Sequence, residues 1–351
     1  METLDSEVPL ARQLSTVALL FNLKKGRIGR TADAEAEYDS IETVHAIRSE
    51  LENAGLTVEL IEADRELPER LKFSRAEIAF NIAEGLSGRG REAQIPAILN
   101  MLGMPFTGSD ETALAVALDK AMCKKLAAAC RVRTPRFRVV GSGEVARGLR
   151  FPVIVKPNAE GSSKGVSEAC VAGSLRELDE LIERNLSLYG GEMLAEEYVE
   201  GREFTVGLLG NGAFLKVFEP MEIVYERPTQ GGYHVYSYKV KQEYQNYVRY
   251  ECPAAITPEQ SMAMKDMARR VFRMLGCRDL SRVDFRLDAA GRPWFIEINP
   301  LPGLAPGYSD YPMLTQFQGV AYGDLIRAIL STAASRCGLA CGWEGNGHGG
   351  L

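Results

Sequence analysis

Ser281-Arg282-Val283-Asp284-Phe285-Arg286-Leu287 and, beyond the turn Asp288-Ala289-Ala290-Gly291, Trp294-Phe295-Ile296-Glu297-Ile298-Asn299 are two runs in which polar and apolar residues alternate. Side chains two apart on a strand share a face. Arg282, Asp284 and Arg286 therefore project together, and Glu297 and Asn299 project with Phe295. A hairpin closed over Ala289 and Ala290 sets Arg282 opposite Glu297, with Asp284 as diagonal neighbour. Two carboxylates and an amide oxygen then converge. An oxygen-only donor set selects a hard cation such as Mg²⁺, which binds through a few carboxylates plus phosphate oxygens. Alternation alone would equally describe a salt-bridged strand pair with one solvated face. A phosphate loop elsewhere in the chain decides for the metal.

That loop follows Val153-Ile154-Val155-Lys156-Pro157, which reads as a strand ending in a lysine. It runs Asn158-Ala159-Glu160-Gly161-Ser162-Ser163-Lys164-Gly165-Val166. Glycines let the backbone approach oxygens, successive N–H groups form an anion-binding nest, and two serine hydroxyls add donors. The spacing is neither that of a Walker A loop nor that of a GxGxxG dinucleotide fingerprint. A Gly/Ser loop by itself is a surface turn; the Lys-Pro that precedes it makes the phosphate reading the better one.

Outward from these two features, the first third alternates strand and helix. Residues 16–21, 56–61 and 78–82 suit buried strands. Ile41, Val44, Ile47 and Leu51 recur at helical spacing, with Asp39 as cap, Glu42 in a capping box and Gly55 past the end. An apolar helix ends near Leu102. This order predicts a parallel sheet covered by helices, with ligands at the carboxyl ends of the strands, where residues 81–91 lie. A helical stretch over 110–130 breaks near Asp119 and Lys120. Strands over 136–140, 153–156 and 193–198, a helix over 174–188, and a hairpin about Gly210-Asn211-Gly212 predict an α+β middle unit with antiparallel strands. A strand pair with a long loop over 224–252 precedes a helix opened by Thr257-Pro258-Glu259-Gln260 and closed by Gly276. The expectation is α/β and α+β in three units, 1–115, 116–215 and 216–351.

A chain of 351 residues with 46% hydrophobic and 25% charged residues is an ordinary globular composition, too long for one core. Its net charge of -6 argues against a nucleic-acid partner. No apolar run approaches the roughly 20 residues that span a bilayer, and the acidic start Met1-Glu2-Thr3-Leu4-Asp5 is unlike a signal peptide, so the cytoplasm is expected. Seven scattered cysteines do not suggest a disulfide framework. Cys337, Cys341 and His348 are read as part of a frayed, Gly-rich tail rather than a metal site. Cys170, Cys277 and Trp294 read as core, and His234 falls in the long loop.

The chain resembles D-alanine–D-alanine ligase and its relatives in the ATP-grasp superfamily, from about Thr16 to Leu330. The resemblance is carried by Phe106-Thr107-Gly108-Ser109, Asp119-Lys120, Val155-Lys156-Pro157, Glu160-Gly161-Ser162-Ser163, Glu203-Phe204-Thr205-Val206, Cys252-Pro253-Ala254, Arg282-Val283-Asp284 and Glu297-Ile298-Asn299, in that order. It implies a three-domain ATP-grasp fold with an N-terminal parallel-sheet domain and ATP held between the second and third domains. Lys120 and Lys156 match the family's phosphate-contacting lysines, and Gly161, Ser162 and Ser163 its phosphate loop. Glu196, Glu197, Tyr198 and Val199 match the segment along the adenine, Glu203 the ribose ligand, and Lys241 the lysine over the γ-phosphate. Asp284, Glu297 and Asn299 match the ligands of one or two Mg²⁺, which Mn²⁺ can replace. Arg282 matches the group facing the developing oxyanion, and with Ser162 and Lys241 it makes up the expected catalytic set. Residues 224–245 are the expected lid. The family also implies small-molecule carboxylate and amino-acid substrates and a homodimer through the first domain.

The departures from the family fall on substrate positions. A His-Gly becomes Glu84-Gly85, a tyrosine after the lysine becomes Gln242, and a Thr-Ser-Pro-Gly type sequence becomes Pro300-Leu301-Pro302-Gly303-Leu304. Glu35 and Glu37 are the candidates for the glutamate that orients the first amino group. Sites that hydrogen-bond a particular polar group reject analogues strongly. Swapped polar residues therefore point to a specialised amino-acid ligase, such as one condensing an amino acid with mycosporine-glycine. A non-catalytic ATP-binding regulatory protein and a kinase remain the alternatives; the retained Arg282 speaks against the former.

Overall fold

The computed structural model describes residues 12–26, 31, 33–161, 163–166, 170–227 and 232–343. The chain opens with a short strand β1 (Arg12–Gln13). The first sheet is then built from β2 (Thr16–Phe21), β3 (Thr57–Glu62) and β4 (Ile78–Asn81), all parallel, in the order β3-β2-β4. β2 is apolar along its length because helices and a neighbouring unit cover both of its faces. Helices α1 (Ile41–Asn53) and α2 (Leu67–Phe73) return the chain between these strands. The cap of α1 is Ser40, whose Oγ accepts the Thr43 N–H at 3.4 Å, not Asp39. The Asp39 backbone is instead bridged to Leu23, with its N–H on the Asn22 carbonyl at 2.9 Å, which holds it in extended chain. α3 (Gln94–Leu102) and α4 (Glu111–Leu118) follow. Asp119 ends α4 and caps α5 (Lys120–Ala129) by accepting the Met122 N–H at 2.9 Å, so the helical stretch does break there.

The second sheet is antiparallel: β5 (Phe137–Val140), β6 (Val153–Pro157), β7 (Val171–Ala172) and β8 (Met193–Glu197) in the order β5-β8-β6-β7. α6 (Leu175–Tyr189), capped by Ser174, packs Leu178 and Ile182 against it. The third sheet comprises β9 (Arg202–Leu209), β10 (Lys216–Val217), β11 (Met221–Tyr225), β12 (Val248–Glu251), β13 (Leu280–Leu287) and β14 (Pro293–Asn299). Its order is β12-β11-β9-β13-β14, with β10 on β9. Residues 202–209, which the sequence places in the central unit, thus hydrogen-bond into the third sheet. α7 (Tyr238–Gln242) lies between β11 and β12. α8 (Pro258–Leu275) opens on the expected capping box, with Thr257 and Gln260 bonding each other's N–H groups at 3.0 and 3.3 Å, and stops at Gly276 with φ +68°.

α9 (Asp310–Phe317) packs on β9, where Gly207 admits Leu314 and Tyr311 to close approach. α10 (Tyr322–Arg336) leaves the third sheet and returns to the first, burying Ile326, Ile329 and Leu330 with Val17, Leu19 and Ile47. β15 (Leu339–Ala340) then pairs in parallel with β1. Asp279 fastens this return. Fully buried, it accepts the N–H of Gly108 at 2.8 Å, the amide of Asn211 at 2.7 Å and the Arg336 guanidinium at 2.8 and 3.1 Å. Among the described residues no helix is long and apolar enough to cross a membrane.

Candidate active site

The β13–β14 hairpin forms, but in a different register from the one expected. Asp284 lies directly opposite Glu297, and Arg282 opposite Asn299. Leu287 pairs with Pro293, and the register shifts between Asp284 and Phe285, because Ile296 is an extra, unpaired residue on β14. The bulge also changes which side chains travel together. Phe295 joins Phe285 and Ile298 in the core, while Glu297 and Asn299 turn to the cleft, so they do not share a face with Phe295. Trp294 is likewise not core. It is partly exposed, donates its indole N–H to Asp288 at 2.9 Å and stacks under Arg133.

Like charges directly across a strand pair repel, and here cations offset them. Arg282 donates to both oxygens of Asp284 at 2.9 and 3.1 Å, and Lys120 Nζ stands 3.5 Å from Glu297. Burial would raise the Glu297 pKa, yet Lys120, Lys156 and Arg282 prevail and hold it below the usual carboxylate range. Burial pushes Asp284 up against the pull of Arg282. Two facing carboxylates with the Asn299 amide beside them form an oxygen-only set that fits a hard cation.

Lys120 and Lys156 come from different elements to the same cleft. Lys120 begins α5 and donates to the Glu160 carbonyl; Lys156 ends β6. Glu196 sits between Lys156, at 3.5 Å, and Lys124, at 2.5 Å. Burial acts to lower the Lys156 pKa, but Glu196 and Glu297 outweigh it and raise it. Because side chains alternate along β8, Glu197 points away from Glu196 and pairs with Arg150 at 2.9 Å, outside the cleft lining. Tyr198 and Val199 line the cleft. So does Glu203, which accepts from Tyr225 at 2.8 Å and Arg286 at 3.2 Å. His234 is stacked on Tyr225 and its carbonyl accepts from Tyr198 and Arg286, a bracing role in the cleft wall. Cys170 and Cys277 are packed thiols whose pKa burial pushes up to about 12.

The expected phosphate loop is held by side chains of the first sheet's unit. Glu37 accepts the Gly161 N–H at 2.6 Å, and a Cβ at Gly161 would lie 2.8 Å from the same oxygen, so the approach needs glycine. Asp33 accepts the Gly165 N–H at 2.8 Å and the Tyr189 hydroxyl at 3.0 Å. Arg91 binds both Glu37 oxygens and the Ala159 carbonyl. Ser163, at φ +58°, donates to the Tyr236 carbonyl at 2.9 Å. Ser162 lies outside the described residues. Glu35 is occupied elsewhere, on the N–H groups of Lys25 and Gly26.

Part of the expected lid, residues 233–242, lies over this loop, with the Tyr238 N–H on the Val166 carbonyl at 3.2 Å. It brings Lys241 into the cleft lining, where burial lowers the lysine's pKa against the opposing pull of Asp310. Sequence reasoning passed over Asp310, which accepts from Arg282 at 2.9 Å and from Tyr236 and Tyr250 at 3.2 Å. Its only local mark is Ser309-Asp310 at the start of an apolar helix. Arg91, Glu92 and Lys124 were passed over too.

The family model of the D-ala D-ala ligase C-terminus matches residues 137–331. A D-alanine–D-alanine ligase of Bordetella pertussis is 32% identical over 93% of this chain and 98% of its own length. The crystal structure of D-alanine–D-alanine ligase from Bacillus anthracis complexed with ATP superposes with a TM-score of 0.71 at 19% identity, over 92% of this chain and 98% of that one. The VanG D-Ala:D-Ser ligase of Enterococcus faecalis gives the same score and identity over 92% and 100%. With these likenesses beside three sheets that share one cleft, the chain belongs to the D-alanine–D-alanine ligase family and has its ATP-grasp fold.

Proposed function

We propose that the chain is an ATP- and Mg²⁺-dependent ligase that joins a carboxylate to the amine of an amino acid. The observation that carries this reading is the meeting of Lys120, Lys156, Lys241 and Arg282 with the Asp284, Glu297 and Asn299 face in one cleft. A carboxylate oxygen of the donor attacks the γ-phosphorus and ADP leaves, giving an acyl-phosphate. The amine nitrogen then attacks the acyl carbon, loses a proton, and inorganic phosphate departs. Lys120, Lys156 and Lys241 offset charge on the phosphoryl oxygens, and Arg282 meets the oxyanion of the tetrahedral species. Asp284, Glu297 and Asn299 are the residues that would hold Mg²⁺, whose charge polarises phosphate oxygens. The segment over the phosphate loop keeps water from the acyl-phosphate. Glu203 and the Tyr198–Val199 wall suit the ribose and base. The substrate pair is an unlike one, because Glu84, Gln242 and residues 300–304 depart from the family where substrates bind.

The test is ADP release by the full chain with Mg·ATP against D- and L-amino acids, singly and in pairs, with mycosporine-glycine among the donors. Turnover should require an unlike pair, and Arg282→Ala should cut it roughly 100- to 1,000-fold, as loss of an oxyanion donor does. Turnover with D-alanine alone would refute the unlike pair. Nucleotide binding without turnover, unaltered in Arg282→Ala, would refute the ligase.

A further inference from the structure

Three carboxylates line the first-unit side of the cleft. Glu37, Glu84 and Glu92 bring oxygens within 4.8 Å of one another. Glu37 is already engaged, with Arg91 on both oxygens and the Gly161 N–H on one. Glu160, next to it, is matched by Lys164 at 2.9 Å. Two anions and two cations cancel there, and Glu84 and Glu92 remain. Glu84 follows the carboxyl end of β4, and Glu92 lies in the single turn Arg91–Ala93 before α3. Glu92 is only 6% exposed, yet among the described residues no N–H or O–H group donates to it or to Glu84. The oxygens of both open onto the cleft, so the donors they lack come from whatever the cleft holds.

The occupant is an organic cation rather than a metal ion. With Glu37 held by Arg91 and the Gly161 N–H, two carboxylates are left, fewer oxygen donors than the Asp284, Glu297 and Asn299 set offers a metal ion. An ammonium brings three N–H donors, asks for no fixed coordination geometry and matches two acceptors that lack partners. A zwitterionic amino acid carries one ammonium and a carboxylate of its own, which leaves one of the two glutamates unmatched. We propose that Glu84 and Glu92 together hold a substrate bearing a second amino group, a diamino acid or a diamine. This rests on the ligase reading only in that the cleft takes an amine or amino-acid substrate. Burial first, then repulsion among the carboxylates, pushes the Glu84 and Glu92 pKa values up, and a cation beside them would draw them down.

The experiment is calorimetric titration of the full chain with Mg·ADP present. The probes are putrescine and D- and L-lysine, each against its counterpart lacking the second amine, butylamine and D- and L-norleucine. Putrescine or one lysine enantiomer should bind about tenfold or more tighter than its counterpart, the margin of charge-assisted hydrogen bonds. Glu84→Gln and Glu92→Gln should each erode that margin. Equal affinities for lysine and norleucine and for putrescine and butylamine would overturn the proposal, on the wild type alone and so whether or not the variants fold. So would a margin that survives in both variants, or a Mn²⁺ site lost in Glu92→Gln without any amine margin. Mg·ADP affinity on the same samples separates the two readings. Bound nucleotide without an amine margin defeats only this inference, and absent nucleotide binding defeats the ligase.

Discussion

Lys124 has no exposed surface, and its ammonium stands 2.5 Å from Glu196 and 3.1 Å from the Thr134 hydroxyl. Lys124→Met keeps most of the side-chain length and removes the charge. Glu196, itself 2% exposed, is then left to Lys156 at 3.5 Å. Breaking a buried ion pair from one side costs about 3–5 kcal/mol. Because Lys156 remains, the expected loss is at the lower end, about 3 kcal/mol. Glu196 should also close on Lys156 and weaken Mg·ATP binding. Replacing both members by apolar residues, Lys124→Met with Glu196→Leu, removes the pair's own charges, leaves Lys156 to Glu297, and should recover part of the stability. Urea unfolding of the wild type, both single variants and the double variant supplies the cycle, with nucleotide titration alongside. A single variant within about 0.5 kcal/mol of wild type, or a double variant no more stable than Lys124→Met, would refute the view that Glu196 depends on both lysines.

Gly207→Val should destabilise by about 1–3 kcal/mol in denaturant unfolding, because a Cβ there meets Leu314 at 2.9 Å and Phe218 at 3.2 Å; a neutral result would mean that α9 can move off β9. Asp279→Ala strands the Arg336 guanidinium and the Gly108 N–H, and should cost about 3 kcal/mol, lowering the thermal midpoint unless the return of α10 is held by packing alone. Burial is the largest single influence on Asp288 and opposes its ionisation, but the hydrogen bonds from Trp294 and Arg292 together prevail and hold its pKa at about 2. A depressed carboxylate pKa contributes stability that is present above the unfolded value near pH 4 and lost as pH falls toward 2. The stability gap between wild type and Asp288→Asn should therefore be open at about pH 5 and shrink by about pH 3; a gap independent of pH would show that the charge plays no part.

Local pattern carried a large part of this architecture into the sequence. The capping box at Thr257, the break at Asp119 and the parallel strands of the first sheet each depend on residues within a few positions of one another, and all of them form. The hairpin face was legible as a face, but its register was not. A one-residue bulge at Ile296 costs little locally and leaves no compositional mark, yet it decides that Asp284 and not Arg282 faces Glu297. Glu196 and Glu197 show the same limit, since neighbours on a strand look alike in sequence and point to opposite sides. Least legible were the long-range partners. Nothing near Glu37 announces Arg91, and nothing near Arg282 announces Asp310, because those contacts exist only once separate sheets have docked.

Asp33, Glu37 and Arg91 grip the loop after β6 at Gly165, Gly161 and Ala159. The loop expected to bind phosphate is therefore not the property of the sheet that carries it. Its shape is set from across the cleft by the same wall that presents Glu84 and Glu92. Where nucleotide and amine settle against opposite sides of such a shared support, any influence of one on the other is mutual. Any factor by which an amine on the carboxylate wall tightens the hold on nucleotide has to return, undiminished, as the factor by which nucleotide tightens the hold on the amine.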